Sequence, residues 1–367
     1  MDGRTFNILL YSLFFLLCVV FSGIINGLFL RFSRNLGMRN VDPTMIRWGP
    51  LSKPSVGGFS FYIIFLISVS TFGLFPFAKD FVFNKQLIGL LLASSLGFLV
   101  GLADDAYNTK PFLKFGGQIA CSLILVATGT LIQITPFYYL NILVTVLWVA
   151  GIMNSINMLD NMDGITAGIS ITIFGAMIII SRVGHYLFDV QTFLLLGAIG
   201  SLLGFLYYNW HPSKLYMGDT GSQFLGVLLG GMSIMHLWNY RDAGGPEFQF
   251  RQFALPLLVF AVPLIDTITV SVRRIMRGQS PFVGGRDHTT HHLAYLGFSD
   301  SKVAVILISF SVFFGICGFL FRRFYFISPT FFTIGAFVLF AISFFVMQFF
   351  YQKAKKKIPV KNEENNG

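Results

Sequence analysis

The sequence predicts an all-α polytopic membrane protein, on three observations. Charged residues fill 11% of its 367 positions, under half the ~25% of a soluble domain. Hydrophobic residues fill 54%, and Phe alone accounts for 44 positions. Eleven apolar stretches approach or exceed the ~20 residues that a helix needs to cross a bilayer. Too few polar side chains exist to coat a soluble surface, which excludes a soluble globular protein, a disordered chain and a disulfide scaffold.

The stretches cover residues 6–30, 55–75, 86–103, 115–132, 137–156, 164–181, 190–208, 220–238, 253–271, 303–321 and 327–351. The first is too long for a signal-peptide core and lacks a small-residue cleavage site, so it reads as a helix. With no internal repeat or linker, residues 1–351 read as one integral membrane domain and 352–367 as a basic tail. Of the 26 Lys and Arg residues, 18 fall on one alternate set of connections and 8 on the other. The positive-inside rule makes the first set cytoplasmic, with the N-terminus outside and the C-terminus inside. Tail lysines 353, 355, 356 and 357 then face anionic lipid, as suits a multi-pass protein of a bacterial inner membrane. The net charge of +10 reflects this bias and not a nucleic-acid surface, because no basic run is interleaved with aromatics. Cys18, Cys121 and Cys317 sit in apolar runs, with neither metal spacing nor a disulfide set, and read as packing residues.

Only 16 acidic residues exist, and five fall in three groups. They are Asp104 and Asp105 in GLADDAYN, Asp160 and Asp163 in NSINMLDNMDG, and Asp219 in YMGDTGS. All lie at predicted cytoplasmic helix ends, although only basic residues set the topology. A carboxylate costs ~2.5–3.5 kcal/mol at mid-membrane and less toward the ends, and five on one face repel. A divalent cation removes both penalties, since hard oxygen ligands suit Mg²⁺ and Mg²⁺ suits phosphate. Asp104 and Asp105 end a helix, where acids oppose the macrodipole; the place is either a solvated end or a functional one. Asp160 and Asp163 are three apart and share a face in a helix, which Asn154 and Asn157 continue. A buried structural network is the alternative there, and Gly164 lets the chain turn. Asp219, among Gly218, Thr220, Gly221 and Ser222, opens a helix as an ordinary N-cap or as a phosphate site whose Asp holds the metal.

The longest polar loop, RRIMRGQSPFVGGRDHTTHHLAYLG, holds Arg273, Arg274, Arg277, Arg286, His288, His291 and His292. His288 and His292 align if the segment is helical. A zinc site lacks Cys and an acidic ligand set, so a cationic clamp on a diphosphate fits better, with Arg286 and His288 at its centre. Arg273 and Arg274 read as positive-inside anchors. His185, His211 and His236 read as isolated structural residues. Lys114, with Gln118 one turn on, either meets a lipid phosphate or marks the membrane boundary. Asp266 reads as a positioning acid, near which Pro263 opens the helix backbone.

Together these residues resemble the polyprenyl-phosphate N-acetylhexosamine-1-phosphate transferase family. The matching pieces are KPSVGG (53–58), GLADD (101–105), NSINMLDNMDG (154–164), MGDTGSQFLG (217–226) and GRDHTTHHLAYLG (285–297). The resemblance implies transfer of a sugar 1-phosphate, GlcNAc-1-phosphate by default, from a UDP-sugar to polyprenyl (undecaprenyl) phosphate. UMP is released, Mg²⁺ (or Mn²⁺) is required, and the lipid-linked product starts a cell-envelope glycan. It further implies Asp219 and Asn157 as metal ligands, Asp104 and Asp105 beside the lipid phosphate, and Lys114 on that phosphate. Asp160, Asp163 and Asn154 would line the nucleotide pocket, and Arg286, His288, His291 and His292 would bind phosphate or sugar. Within this setting a homodimer is compatible.

Three rivals stand beside it. The peptidoglycan-precursor translocase, with UDP-MurNAc-pentapeptide as donor, typically has ten spans and consecutive histidines where this chain reads HTTHH. A CDP-alcohol phosphotransferase needs D-x-x-D-G-x-x-A-R and a second acidic half; here Gly168 replaces the Arg and that half is absent. An ion-coupled transporter needs ionisable residues at the midplane and a repeat of broken helices, whereas these acids gather at one end.

Overall fold

The computed structural model describes residues 3–33, 53–73, 84–181, 189–239, 251–280 and 285–355, which form thirteen α-helices. They are α1 (Gly3–Ser33), α2 (Gly57–Gly73), α3 (Lys85–Tyr107), α4 (Pro111–Ala127), α5 (Tyr138–Leu159), α6 (Ile165–Ser181) and α7 (Val190–Asn209). There follow α8 (Gly218–Ser233), α9 (Arg251–Val259), α10 (Ala261–Met276), α11 (Thr289–Tyr295), α12 (Asp300–Phe324) and α13 (Pro329–Lys355). Among the described residues no strand forms, and Ser55 and Tyr216 make an isolated parallel bridge.

Local signals set the boundaries. The Asn84 side chain caps α3 by accepting from the backbone N–H of Gln86 and Leu87, at 3.0 and 3.3 Å. Asn108 ends that helix in the left-handed region, φ 50°, which Asn tolerates. Pro111 opens α4 at its first position, where a missing N–H costs nothing. Asp189 caps α7 through the N–H of Thr192 at 2.7 Å.

Six helices, α1, α3, α5, α7, α12 and α13, are long and apolar enough to cross a membrane. The pair α9 and α10 passes as a seventh, although its two halves bend by 83°. The expected straight span at 253–271 is therefore broken. Pro263 has no N–H for the carbonyl of Val259, and its ring crowds that carbonyl, so the helix breaks at Phe260. The count of eleven is not reached by length and composition: α2, α4 and α6 have 17 residues each, ~25 Å of helix against ~30 Å of hydrocarbon.

At the centre stands α8, buried along its whole length from Thr220 to Ser233. Helices α2, α3, α5 and α6 pack around it, and α1 lies outside against α7. Small residues set the close approaches: a Cβ on Gly101 of α3 would lie 2.2 Å from the carbonyl oxygen of Asp219 in α8. The C-termini of α3, α5, α7 and α10 meet the N-termini of α4, α8 and α11 at one end of the bundle, tied by the hydrogen bonds described next.

Candidate active site

Residues 53–58 run beside the entry to α8. Tyr216 N–H donates to Pro54 O, Gly57 N–H to Tyr216 O and Gly58 N–H to Met217 O, at 2.9, 3.0 and 3.0 Å. Gly218 then turns the chain at φ +75°, a conformation that costs glycine nothing. Asp219 and Thr220 thereby enter the first turn of α8 with their N–H groups pointing at α3.

Those groups are met by Asp105, whose carboxylate accepts from Asp219 N (3.1 Å), Thr220 N (2.8 Å) and Thr220 Oγ1 (2.6 Å). An acid at the unfavourable end of α3 is thus the cap on the favourable end of α8. Asp219 itself is not the cap; it is the second residue of α8, and its side chain faces outward from that cap.

Asp104, one residue earlier and about 100° round the helix, faces a different partner. Its Oδ1 accepts from Thr109 N (2.9 Å) and Thr109 Oγ1 (2.6 Å), and its Oδ2 lies 2.8 Å from Lys114 Nζ. The same Nζ lies 2.7 Å from Asp219 Oδ1 and 3.2 Å from Asn157 Oδ1. Asn157 Nδ2 donates to Asp219 Oδ1 and, at 2.9 Å, to Ser222 Oγ. Three oxygens from α3, α5 and α8 therefore converge on one ammonium supplied by α4. One turn deeper, Gln118 exchanges hydrogen bonds with Asn154 (Nε2 to Oδ1 3.2 Å, Nδ2 to Oε1 2.6 Å) and donates to Gln223 Oε1 at 3.1 Å.

This convergence tests the fit of a divalent cation. Among the described residues no three His, Cys, Asp or Glu side chains form a metal cluster. The converging set is instead two carboxylates and an amide oxygen, all hard donors, and Lys114 Nζ already shows that a cation is stable at their focus. The residues fit Mg²⁺, provided the flexible lysine stem moves its ammonium aside.

Asp163 lies in a second cluster. The shared helix face expected for Asn154, Asn157, Asp160 and Asp163 ends at its midpoint: α5 stops at Leu159, Asp160 is the C-cap (φ −78°, ψ 52°), and Gly164 turns the chain at φ +76°. Asp163 accepts from Ser213 N (3.0 Å) and Ser213 Oγ (2.7 Å), and lies 3.1 Å from His211 Nδ1. Lys53 Nζ, 3.9 Å from Asp163, donates to Ser213 Oγ at 3.0 Å and stands 5.2 Å from the Tyr216 ring centroid. His211 is therefore not isolated; it also lies 3.7 Å from Asp300.

The α10–α11 connection forms a third cluster. His288 precedes α11 in extended backbone, so it does not share a helix face with His292. Arg274 is not a surface anchor: it is buried and grips Asp287 at 3.0 and 2.6 Å through two nitrogens. Arg286 is exposed. Thr290 Oγ1 donates to Asn161 Oδ1 at 2.7 Å and so ties α11 to the turn after α5. Burial holds the His291 imidazole down to about 3, with nearby His288 adding to the effect. Burial and then Arg273 hold His292 down to about 4. Burial thus favours the neutral form of both rings. Unfolded, both take up protons near pH 6.5. From there down to about pH 4 the unfolded chain holds more protons, so folded stability is lost as pH falls. The melting temperature should accordingly drop between pH 7.5 and 5, by about 1 kcal/mol of stability per pH unit and ring. A His291→Asn, His292→Asn double variant should flatten that slope; an equally steep fall would contradict the account.

The sequence model of glycosyl transferase family 4 matches residues 87–237, from α3 through α8. Over those residues the chain resembles glycosyl transferase family 4. Residues 104, 105, 114, 154, 157, 160, 163 and 219 all fall inside the matched region, and the histidine cluster falls outside it. The chain is similar to the probable undecaprenyl-phosphate N-acetylglucosaminyl 1-phosphate transferase of Bacillus subtilis, at 28% identity over 70% of each chain. It is 29% identical to the decaprenyl-phosphate N-acetylglucosaminephosphotransferase of Mycobacterium leprae, over 69% of each. A phospho-N-acetylmuramoyl-pentapeptide-transferase of Halalkalibacterium halodurans matches at 27% identity, over 79% of this chain and 90% of its own. The geometry adds to this site Lys53, Thr109, His211, Ser213, Tyr216, Thr220 and Ser222, to which the sequence reading gave no partner. Their contacts span up to 160 residues of chain, and no local pattern announces them.

Proposed function

We propose that this chain moves N-acetylhexosamine 1-phosphate, GlcNAc-1-phosphate by default, from a UDP-sugar to a polyprenyl phosphate and releases UMP. The names of its relatives support this reading, and one observation carries it: the focus of Asp104, Asn157 and Asp219 oxygens on a single cation at a helix N-terminus. In the reaction an oxygen of the lipid phosphate attacks the phosphorus that bears the sugar. The bond from that phosphorus to the bridging oxygen breaks, and UMP leaves with the electron pair. Two unit charges 4 Å apart repel by ~4 kcal/mol at an effective dielectric of 20, so the site's task is to bring anions together. Lys114 contributes positive charge directly and Asp104 aims it. Asp105 holds the α8 N-terminus in place, and Asp219 with Asn157 would hold Mg²⁺. When bound, that ion supplies charge neutralisation of the phosphoryl oxygens. A lipid phosphate, with a second pKa near 6, is already mostly ionised at pH 7, so no strong base is needed.

Asp160 and the wall built by Asp163, Lys53 and Tyr216 form the nucleotide side, and Arg286 with His288 meets the diphosphate or sugar. The topology we propose counts α2, α4, α6 and α8 as short spans beside the seven longer ones. All three clusters then face the cytoplasm of a bacterial inner membrane, with the N-terminus outside.

Purified protein in nanodiscs, supplied with undecaprenyl phosphate, Mg²⁺ and a panel of UDP-sugars that includes UDP-MurNAc-pentapeptide, tests the reading. One UMP should appear per lipid-linked diphosphate sugar, identified by mass spectrometry, with UDP-GlcNAc preferred. Absence of UMP with every N-acetylhexosamine donor would reject it, and turnover confined to the pentapeptide donor would move the chain to the peptidoglycan reaction.

A further inference from the structure

The histidine cluster holds one carboxylate for which the transfer reaction has no evident need. Asp266 lies in α10, 2% exposed, and His288 is 5% exposed. His288 Nδ1 stands 2.8 Å from Asp266 Oδ2, and the N–H of Thr289 donates to Asp266 Oδ1 at 2.7 Å. A bare carboxylate at this depth is costly, and these two donors satisfy one oxygen each. Arg274, the neighbouring buried cation, is already held by both oxygens of Asp287. His292 is differently placed: it turns its Nε2 to the carbonyl oxygen of Asp287 at 3.1 Å. His288 thus combines a carboxylate on one ring nitrogen with the opposite nitrogen left over.

Position supports a functional use. Helix α10 is pinned to α5, where Thr267 Oγ1 donates to Ser155 Oγ at 2.8 Å and Ser155 Oγ donates to Pro263 O at 2.9 Å. Thr290, two residues after His288, bonds Asn161 at 2.7 Å. Two independent struts therefore register this pair against the end of α5, which carries Asn157.

We infer that Asp266 is a positioning residue that acts through His288: it accepts a hydrogen bond from Nδ1–H, fixes the ring, and turns Nε2 toward the diphosphate of the sugar nucleotide. This rests on the transferase reading above. With Nδ1 committed to the carboxylate, the ring's orientation is fixed and Nε2 is the atom left to face the diphosphate. An Asp266→Asn change keeps the shape but loses the charge that accepts from the ring and holds it in place.

The test is a mutant cycle on the full-length protein, read as kcat and KM for UDP-GlcNAc at saturating undecaprenyl phosphate and Mg²⁺. Asp266→Asn and His288→Gln should each raise KM and lower kcat/KM by ~10- to 100-fold, the range of one charge-assisted hydrogen bond. The double variant should be no more than ~3-fold worse than the worse single, because both remove one device. Asp266→Glu should recover part of the loss. Additive losses in the double variant would assign Asp266 a merely structural role and overturn the inference, as would an Asp266→Asn enzyme within ~3-fold of wild type. If Asp266→Asn does not fold, His288→Gln alone decides: an unchanged KM for UDP-GlcNAc sinks the proposal. A wild-type protein that releases no UMP fails at the earlier step and takes both readings with it, whereas active wild type with an additive cycle removes this one alone.

Discussion

Asp219→Ala should lower UMP release by ~10²- to 10³-fold at saturating Mg²⁺ and both substrates, the loss seen when one preorganised group at a reacting centre is removed. The Asp219 carboxylate takes the Lys114 ammonium at 2.7 Å and the Asn157 amide. It is also one of two carboxylates at the cation focus, so its removal empties a ligand position and releases two neighbours together. The fold should survive, because the cap of α8 belongs to Asp105 and to the backbone N–H of residue 219, which alanine keeps. Asp104→Asn should be milder, at ~10-fold, a single charged hydrogen bond. Its remaining oxygen can still accept from Thr109, and Lys114 still has Asp219 and Asn157. Initial rates at several Mg²⁺ concentrations check the order. Equal losses in the two variants would mean that Asp104 does more than aim the lysine.

Lys114→Met should produce a protein whose stability depends on Mg²⁺. Lys114 and Asp104 have side chains 16% and 11% exposed, and Asp219 30%. Taking away the ammonium leaves carboxylate and amide oxygens facing one another with no positive charge between them. Removing one partner of a buried ion pair costs about 3 kcal/mol or more, which in a chain of this size corresponds to a fall of roughly 4 °C or more in melting temperature. In EDTA the variant should show that fall, and a Mg²⁺ titration should recover more than half of it, since the focus is then open to the ion. Wild type, with its own ammonium in place, should gain little from Mg²⁺ alone. Identical Mg²⁺ responses in the two proteins would show that these oxygens do not hold the ion.

Membrane composition made part of this site legible before any fold was known. In a chain with 11% charged residues, Asp104, Asp105 and Asp219 at helix ends mark a place where water or a cation must be. The three do meet, through Lys114 and the α8 cap. What adjacency could not show is that Asp104 and Asp105 divide the work. Neighbours on a helix point about 100° apart, so one faces the cation focus and the other the start of α8. The Asn154-to-Asp163 pattern misled for a related reason: periodicity of three means a shared face only while the helix lasts, and α5 stops at Leu159. Arg274 and His211 read as bland residues because their partners, Asp287 and Asp163, lie 13 and 48 positions away. The bend between α9 and α10 was written in Pro263, although that residue breaks the helix ahead of itself and not at Asp266.

UMP release by wild type and Asp219→Ala, followed side by side across a Mg²⁺ titration with UDP-GlcNAc and undecaprenyl phosphate, tests the cation focus most directly. The account predicts no UMP from wild type in EDTA, saturable release as Mg²⁺ rises, and almost none from Asp219→Ala at any concentration. Release from the variant that matches wild type throughout would contradict it.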